Sequence, residues 1–357
     1  MSERVIVGLS GGVDSSVAAL LLKEWGYDVE CLFMKNWDDP DAEYCTTEQD
    51  YKDAVRVSDA LNLPLHTVNF VKEYRENVFS YFLEEYDAGR TPNPDILCNR
   101  EIKFKAFLEY AMELGADFMA TGHYANSTKS DEGNQLLKGF DTNKDQSYFL
   151  YALNQRQLSK ASFPLGSLTK QNVRALAEKH NLHTHDKKDS TGICFIGEQK
   201  HFISFLKNYF PENPGDIRTI DGKSCGTHDG LLFYTIGQRK GLGIGGGFGT
   251  DDSPWYVAKK IIESNELIVV QGRDHPSLYS KQLTADQLHW ISGSAPKIPI
   301  TIYAKVRYRQ QDEKCTINSI KDGVANVSFD QPIFAVTPGQ SVVFYNHDVC
   351  LGGGIIQ

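Results

Sequence analysis

Residues 4–26 read RVIVGLSGGVDSSVAALLLKEWG. The apolar run RVIVGL passes straight into SGG, and from Val13 the apolar positions Val17, Leu20, Leu21 and Trp25 recur at spacings of three and four until Gly26 stops them. That pattern is a strand, a tight loop and a helix. Gly11 and Gly12 let backbone amides come close to a phosphate. Ser15 and Ser16 offer hydroxyls, and the amino end of the helix attracts anions. The loop lacks the Gly-Lys-Ser/Thr ending of the common nucleoside-triphosphatase loop, and it lacks GxGxxG. Asp14 would repel a bare phosphate, but it makes sense beside Mg2+ held between carboxylate and phosphates. A plain strand-to-helix turn is the competing reading of the two glycines.

Outward from this loop, strands alternate with helices. VECLFM (29–34), LHTVNF (65–70) and DFMATGH (117–123) read as strands. Helices are expected over about 48–61, 73–88 and 99–114. Such alternation predicts an α/β unit with a mostly parallel sheet covered on both faces, its nucleotide site at the carboxyl ends of the strands. Residues 129–145 read as a polar hairpin with Gly133 at its tip, and helices are expected near 170–180 and 199–209. Beyond residue 211 glycine crowds 222–249, and short β-type runs appear as LLFYTI, WYVAKKI and ELIVVQG. From 281 onward TIYAKVRY, KCTINSI, VANVSF, SVVFYN and CLGGGII have no helices between them, as in a compact β-barrel. The expected units are 1–210 for nucleotide chemistry, 211–280 as a small β-rich centre, and 281–357 as a C-terminal barrel.

A chain of 357 residues suits two or three domains. With 41% hydrophobic and 23% charged residues it reads as globular. No run approaches ~18 apolar residues, so no membrane span is expected. The strand that starts within about four residues of Met1 leaves no room for a secretory signal. The expectation is a cytoplasmic protein. Net charge is 37 − 46 = −9, and residues 281–357 contribute 7 − 6 = +1, which leaves −10 for the rest. This argues against a general nucleic-acid coating protein but leaves room for a local RNA-binding face. Seven cysteines are scattered without CxxC or zinc-finger spacing, so reduced thiols and no structural metal are expected.

SGGVDSS resembles the pyrophosphatase loop of ATP-dependent adenylating enzymes such as GMP synthetase, NAD synthetase and argininosuccinate synthetase. That resemblance implies cleavage of ATP between the α and β phosphates, with AMP passed to a substrate oxygen. Two cysteines bear on the substrate. Cys98 lies in GRTPNPDILCNREIKF at an expected helix start, which favours its thiolate, with Arg100 and Lys103 nearby and Asp95 three residues earlier. Cys194 lies in DSTGICFIG after Lys187 and Lys188. Taken singly, each could be a buried structural thiol. Taken with the loop, they suit oxygen-to-sulfur exchange: adenylation makes the oxygen a leaving group, a persulfide attacks the carbon, and the second thiol frees the sulfur as a disulfide forms.

The whole chain resembles the bacterial tRNA-specific 2-thiouridylase family, through GLSGGVDSS (8–16), FMKNWDD (33–39), GRTPNPDILCNREIKF (89–104), ATGHYA (120–125), NKDQSYFL (143–150), DSTGICFIG (189–197), TIGQRKGLGIG (235–245), VRYRQ (306–310), AVTPGQSVVFYN (335–346) and CLGGGII (350–356). The resemblance implies an adenine-nucleotide alpha-hydrolase-like N-terminal fold and 2-thiolation of wobble uridine 34 in tRNAs for lysine, glutamate and glutamine. Gly8, Leu9, Ser10, Gly11, Gly12, Val13, Asp14 and Ser15 would hold ATP with its Mg2+, helped by Met34 and Gly122. Cys194 would carry the persulfide, Cys98 would attack it, and Asp95 would accept a proton. Asn93, Pro94 and Asp95 would surround the target base. Lys144, Asp145, Gln146, Arg307, Tyr308, His123 and Gln340 would touch tRNA. A persulfide donor protein or cysteine desulfurase relay is the implied partner, with no role for DNA or membrane.

Read without the resemblance, some of these residues are ordinary. Arg307 and Arg309 alternating with Tyr308 also describe a surface strand, His123 a hydrogen-bonded strand end, and KDQ a solvated turn. GLGIGGG (241–247) is followed by no helix and is not a second phosphate loop; it could order on tRNA binding. Another adenylating or amidating enzyme, or an RNA-binding protein with a vestigial loop, remains an alternative. An iron–sulfur thiolase is disfavoured by the missing CxxC.

Overall fold

The computed structural model describes residues 2–38, 47–189, 202–244 and 253–357. Strand β1 (Arg4–Gly8) lies at the centre of a five-stranded sheet with β2 (Asp28–Lys35), β3 (Leu65–Asn69), β4 (Phe118–Ala120) and β7 (Ala161–Ser162). The order is β3-β2-β1-β4-β7, all parallel. Val5, Ile6 and Val7 have no exposed surface. Val5 and Val7 enter one core and Ile6 the other, which is why the run is apolar at every position rather than at alternate ones. Helix α1 (Val13–Glu24) covers one face, with Val17 through Leu22 buried. The chain leaves β1 toward β2 on one side and returns as β4 on the other. The strand order therefore reverses at β1, which makes the carboxyl ends of β1 and β4 the switch point where such sheets bind ligands.

The middle unit is a four-stranded sheet of β8 (Gly215–Thr219), β9 (Ser224–His228), β10 (Trp255–Ile261) and β11 (Glu266–Gln271) in the order β10-β11-β8-β9. The C-terminal unit is a closed barrel. Strands β12 (Tyr279–Trp290), β13 (Ile300–Lys305), β14 (Glu313–Lys321), β15 (Val324–Phe334), β16 (Ser341–Asn346) and β17 (Val349–Ile356) pair antiparallel, and β12 closes onto β17 through Ala285↔Ile356. Closure removes the barrel's open edges.

Several local expectations are corrected. The polar hairpin is β5 (Ala125–Ser130) and β6 (Gly133–Lys138), not 129–145. It extends the barrel sheet by pairing Leu136 and Leu137 with Cys350 and Val349. LLFYTI supplies a 3₁₀ turn at Leu231–Phe233 rather than a strand. β13 ends at Lys305, so Arg307 and Tyr308 lie in the turn beyond it.

A buried ion pair joins barrel and N-terminal unit. Lys305 and Asp145 are 7% and 4% exposed and lie 3.2 Å apart. Tyr148 Oη donates to the Ser341 carbonyl at 2.9 Å across the same seam. Lys305→Met leaves the Asp145 carboxylate buried without its cation and is expected to cost about 3–5 kcal/mol. A urea unfolding curve followed by far-UV circular dichroism checks this, and restoring the charge with Lys305→Arg should recover part of the loss.

Candidate nucleotide and base site

The phosphate loop is built by two glycines for two different reasons. Gly11 has φ +73°, and a Cβ there would sit 2.3 Å from the Asp50 carbonyl oxygen of helix α2 (Thr47–Leu61). Gly122, just past β4, would drive a Cβ to 2.7 Å from the Asp14 carbonyl carbon and the Ser15 nitrogen. The loop is thus pressed between α2 and the end of β4, where only a bare backbone fits. Ser10 N donates to Ser15 Oγ at 3.1 Å, and Ser15 Oγ donates to the Gly12 carbonyl at 3.1 Å. Gly12 caps α1 with extended geometry. Leu9 N is bonded to Leu32 O, and Met34 lies half-buried near the end of β2. Leu9 and Val13 are buried, while Gly122 packs directly against the Asp14–Ser15 backbone of the loop.

The charges around Asp14 were not legible from sequence. Lys170 Nζ donates to both Asp14 oxygens, at 2.7 and 2.8 Å, and Tyr124 Oη donates to Oδ1 at 2.7 Å. Lys170 also pairs with Asp189 at 2.8 Å, as do Lys144 at 2.6 Å and Arg174 at 2.8 Å. Burial works against the charged form of Asp189. Hydrogen bonds and charge from Lys144 and Lys170 outweigh it and hold the carboxyl down to about 2. Lys187 Nζ bonds the Gly11 carbonyl at 3.0 Å, Asp50 at 2.8 Å and Asp53 at 2.6 Å. Lys187 and Asp189, which precede Cys194 in sequence, are thus fastened to the phosphate loop and its neighbours. Cys194 itself lies outside the described residues.

Cys98 sits on a helix that begins as Pro94–Leu97, widens into a π-helical stretch over Cys98–Phe107, and ends as Leu108–Glu113. This corrects the expected start near Asn99. Asn93 caps the helix by accepting from Asp95 N, and Pro94 fits the first position because its nitrogen needs no partner there. Asp95, not Cys98, lies at the amino end, so the helix dipole favours Asp95 as an anion more than Cys98 as a thiolate. Cys98 is 3% exposed. Burial raises the Asp95 carboxyl above its ordinary value, opposed in part by the charge of Lys103. His123 is held well below its ordinary value by burial, with Lys103 adding to the effect, so its imidazole is neutral at pH 7. His123 Nδ1 lies 2.8 Å from Thr121 Oγ1.

The segment leading into Asn93 is gripped by the barrel and the middle unit. Gln340 Nε2 donates to the Thr91 carbonyl at 2.7 Å, Thr91 N donates to Pro338 O, and Lys260 Nζ reaches Gly89 O at 3.2 Å. Arg307 donates to Ile236 O at 2.6 Å and Thr337 Oγ1 at 2.7 Å, tying the middle unit to the barrel. Tyr308 packs on Phe149 with ring centroids 4.3 Å apart. The Gln146 side-chain Oε1 accepts from Tyr124 N at 2.9 Å. Asp145 is the clear departure from a ligand-facing role: besides Lys305, it accepts from Gly139 N and Ser147 N, and its side chain is spent inside the fold. Arg307, Tyr308, Gln146 and Gln340 all hold the architecture together in this structure, and Lys144 is engaged by Asp189.

A parallel sheet opening at its strand-order reversal into a glycine-pressed SGGVDSS loop defines an adenine-nucleotide alpha-hydrolase-like nucleotide-binding protein. Three family models match: a tRNA methyl transferase HUP domain over 3–198, a tRNA methyl transferase PRC-barrel domain over 203–271, and an aminomethyltransferase beta-barrel domain over 280–356. The tRNA-specific 2-thiouridylase MnmA of Marinomonas sp. is 59% identical over 99% of this chain and 91% of its own length. The protein of the same name from Hydrogenovibrio crunogenus is 59% identical over 99% of this chain and 93% of its own. Identity that high over whole chains decides the family: the chain belongs to the tRNA-specific 2-thiouridylases. A solved 4-thiouridine synthetase–RNA complex with bound ATP is similar at 18% identity and a TM-score of 0.36, over 58% of this chain and 50% of that one, a likeness too small to bear on substrate.

Proposed function

We propose that this chain is a tRNA-uridine 2-sulfurtransferase, which uses ATP to replace the C2 oxygen of wobble uridine 34 in tRNAs for lysine, glutamate and glutamine by sulfur. The observation that supports the reading best is that the helix bearing Asp95 and Cys98 also packs on the loop's strand: a Cβ at Gly8 would sit 3.1 Å from its Phe107 ring, and its Phe104 ring lies 5.9 Å from His123, next to Gly122. The work is divided among residues 1–210 for adenylation and thiolation, 211–280 as a central unit, and 281–357 as the tRNA-contacting barrel. The setting is cytoplasmic; among the described residues no helix is long and apolar enough to cross a membrane.

Uracil C2=O is a poor electrophile, and a loop base costs little to extrude. Asn93, Pro94 and Asp95 surround the base, and Asp95 takes the N3 proton, which makes the C2 oxygen nucleophilic. That oxygen bonds to the α-phosphorus of ATP, the bond to the β-phosphate bridge breaks, and pyrophosphate leaves against Ser10, Ser15 and the loop amides. The terminal persulfide sulfur on Cys194 then attacks C2, and AMP departs with the original oxygen. The Cys98 thiolate attacks the Cys194 sulfur, the old sulfur–sulfur bond breaks toward C2, and a Cys98–Cys194 disulfide remains as Asp95 returns the proton. A thiol reductant resets the pair, and a persulfide donor reloads Cys194. Mg2+ would accompany ATP, with Asp14 as the hard oxygen donor beside the loop once its bonds to Lys170 and Tyr124 give way. When bound, it would neutralise phosphate charge.

The test is a nucleoside digest of unmodified tRNA-Glu incubated with the chain, Mg-ATP and a persulfide donor, read by mass spectrometry. A gain equal to sulfur minus oxygen at position 34, absent without ATP, is the expected result. A gain of CH2, the methyl transfer that two of the family models' descriptions name, would contradict it, as would no change.

Asp95→Asn removes the proton acceptor but keeps the shape, so tRNA-dependent pyrophosphate release should fall about 10²–10⁴-fold. In the unaltered chain the rate should climb with pH as Asp95 ionises, with a midpoint above the ordinary aspartate value of about 3.9. The sign follows from the role: the base works only when deprotonated, and burial delays that to higher pH. A pH–rate profile of pyrophosphate release with and without the substitution checks both.

A further inference from the structure

We propose that Lys103 is a catalytic residue that binds the phosphate joining AMP to the activated uridine and stabilises it as it forms and leaves. This rests on the thiouridylase reading above. The helix carrying Lys103 runs from the base site to the phosphate loop: Asp95 and Cys98 lie toward its amino end, and Phe107 supports Gly8, where a Cβ would sit 3.1 Å from the Phe107 ring. Lys103 falls between, five residues past Cys98 and four before Phe107. The adjacent Phe104 ring lies 5.9 Å from His123, at the end of β4 next to Gly122. An adenylated uracil has its base beside Asp95 and its nucleotide at the loop, so its phosphate must lie along this same stretch.

The charge balance agrees. Lys138, Lys144, Lys170, Lys187 and Lys305 are each bonded to a carboxylate. Lys103 is half-buried, and among the described residues it has no hydrogen bond or ion pair. Its charge nevertheless reaches both Asp95 and His123. A partly desolvated ammonium with no bonded carboxylate is unfavourable until an anion binds it directly. The phosphate under attack is that anion: one bond to the α-phosphorus forms as another breaks, and later the C2–oxygen bond breaks and AMP takes the electron pair. A cation fixed at the non-bridging oxygens lowers both barriers. Lys103→Gln removes the charge while keeping most of the stem.

The experiment measures single-turnover pyrophosphate release from Mg-ATP with unmodified tRNA-Glu, for the full chain and for Lys103→Gln and Lys103→Arg. Lys103→Gln should slow release about 100-fold. Its tRNA dissociation constant should stay within about threefold, because Lys103 meets the phosphate and not tRNA, and ATP KM should rise by less than the rate falls. Lys103→Arg, which keeps the charge, should regain at least about tenfold of the loss. Wild-type release by Lys103→Gln overturns the proposal, as does a loss mirrored in tRNA affinity, or an Arg variant as slow as the Gln variant when both are folded. If Lys103→Gln does not fold, the Arg variant decides alone: near-native release supports the cation, and a full loss overturns it. Absence of tRNA-dependent release or thiolation in the unaltered chain overturns instead the thiouridylase reading on which this one stands.

Discussion

Cys98→Ser should abolish 2-thiouridine formation, by more than about 10³-fold, while tRNA-dependent pyrophosphate release stays within about twofold of the unaltered chain. The split follows from where Cys98 acts. In the proposed reaction, adenylation needs the phosphate loop, Asp95 and the base, none of which calls on sulfur. Release of sulfur from the Cys194 persulfide needs a thiolate, and a serine hydroxyl, far weaker as an acid and as a nucleophile toward sulfur, cannot replace it. Cys98 is 3% exposed within a helix, so an oxygen of similar size should leave the packing nearly intact. The two half-reactions are read separately, as radiolabelled pyrophosphate and as 2-thiouridine in a nucleoside digest. Equal loss of both would mean that Cys98 shapes the base site rather than moving sulfur.

Gly11→Ala should raise the KM for ATP about 100-fold and lower the melting temperature. Two costs combine. A left-handed φ of +73° costs a residue with a Cβ about 1–2 kcal/mol. The new Cβ would also sit 2.3 Å from the Asp50 carbonyl oxygen, a backbone atom that cannot rotate away. Asp50 is bonded to Lys187, which also holds the Gly11 carbonyl, so relief of the clash moves α2 and the loop together. Gly26→Ala is the control. Gly26 has φ +86° with nothing within 4 Å of its missing Cβ, so it suffers only the conformational cost and should leave ATP binding alone. A thermal melt and an ATP titration of the two variants separate strain from lost cradle geometry.

The fold was readable because its signals are local. Apolar β1, the SGG turn and the three-and-four spacing of α1 each specify their own element, and strand–helix alternation then leaves few topologies. The phosphate loop and Cys98 were likewise visible as residue types in sequence. What escaped were contacts between distant segments. Nothing near Lys170 or Lys187 in sequence announces that they meet Asp14 and Gly11, across 156 and 176 residues. The π-helical stretch that carries Cys98 to Lys103 has no spacing signature in CNREIKFKAF, and Pro94, two residues after Pro92, looks in sequence more like loop than a helix start. Arg307 and Tyr308 look like surface residues on an alternating strand until the turn after β13 folds them against Thr337 and Phe149. Asp145 reads as a solvated turn residue, and only the returning Lys305 makes it a buried anchor.

The central claim is that the uridine C2 oxygen leaves on AMP. It is tested most directly by placing a heavy-oxygen label at C2 of uridine 34, running one turnover with Mg-ATP and a persulfide-loaded chain, and weighing the AMP. One labelled oxygen in each AMP released and a 2-thiouridine free of label are expected. Unlabelled AMP beside thiolated tRNA would mean that sulfur enters without adenylation of that oxygen, and the role given to the phosphate loop would be wrong.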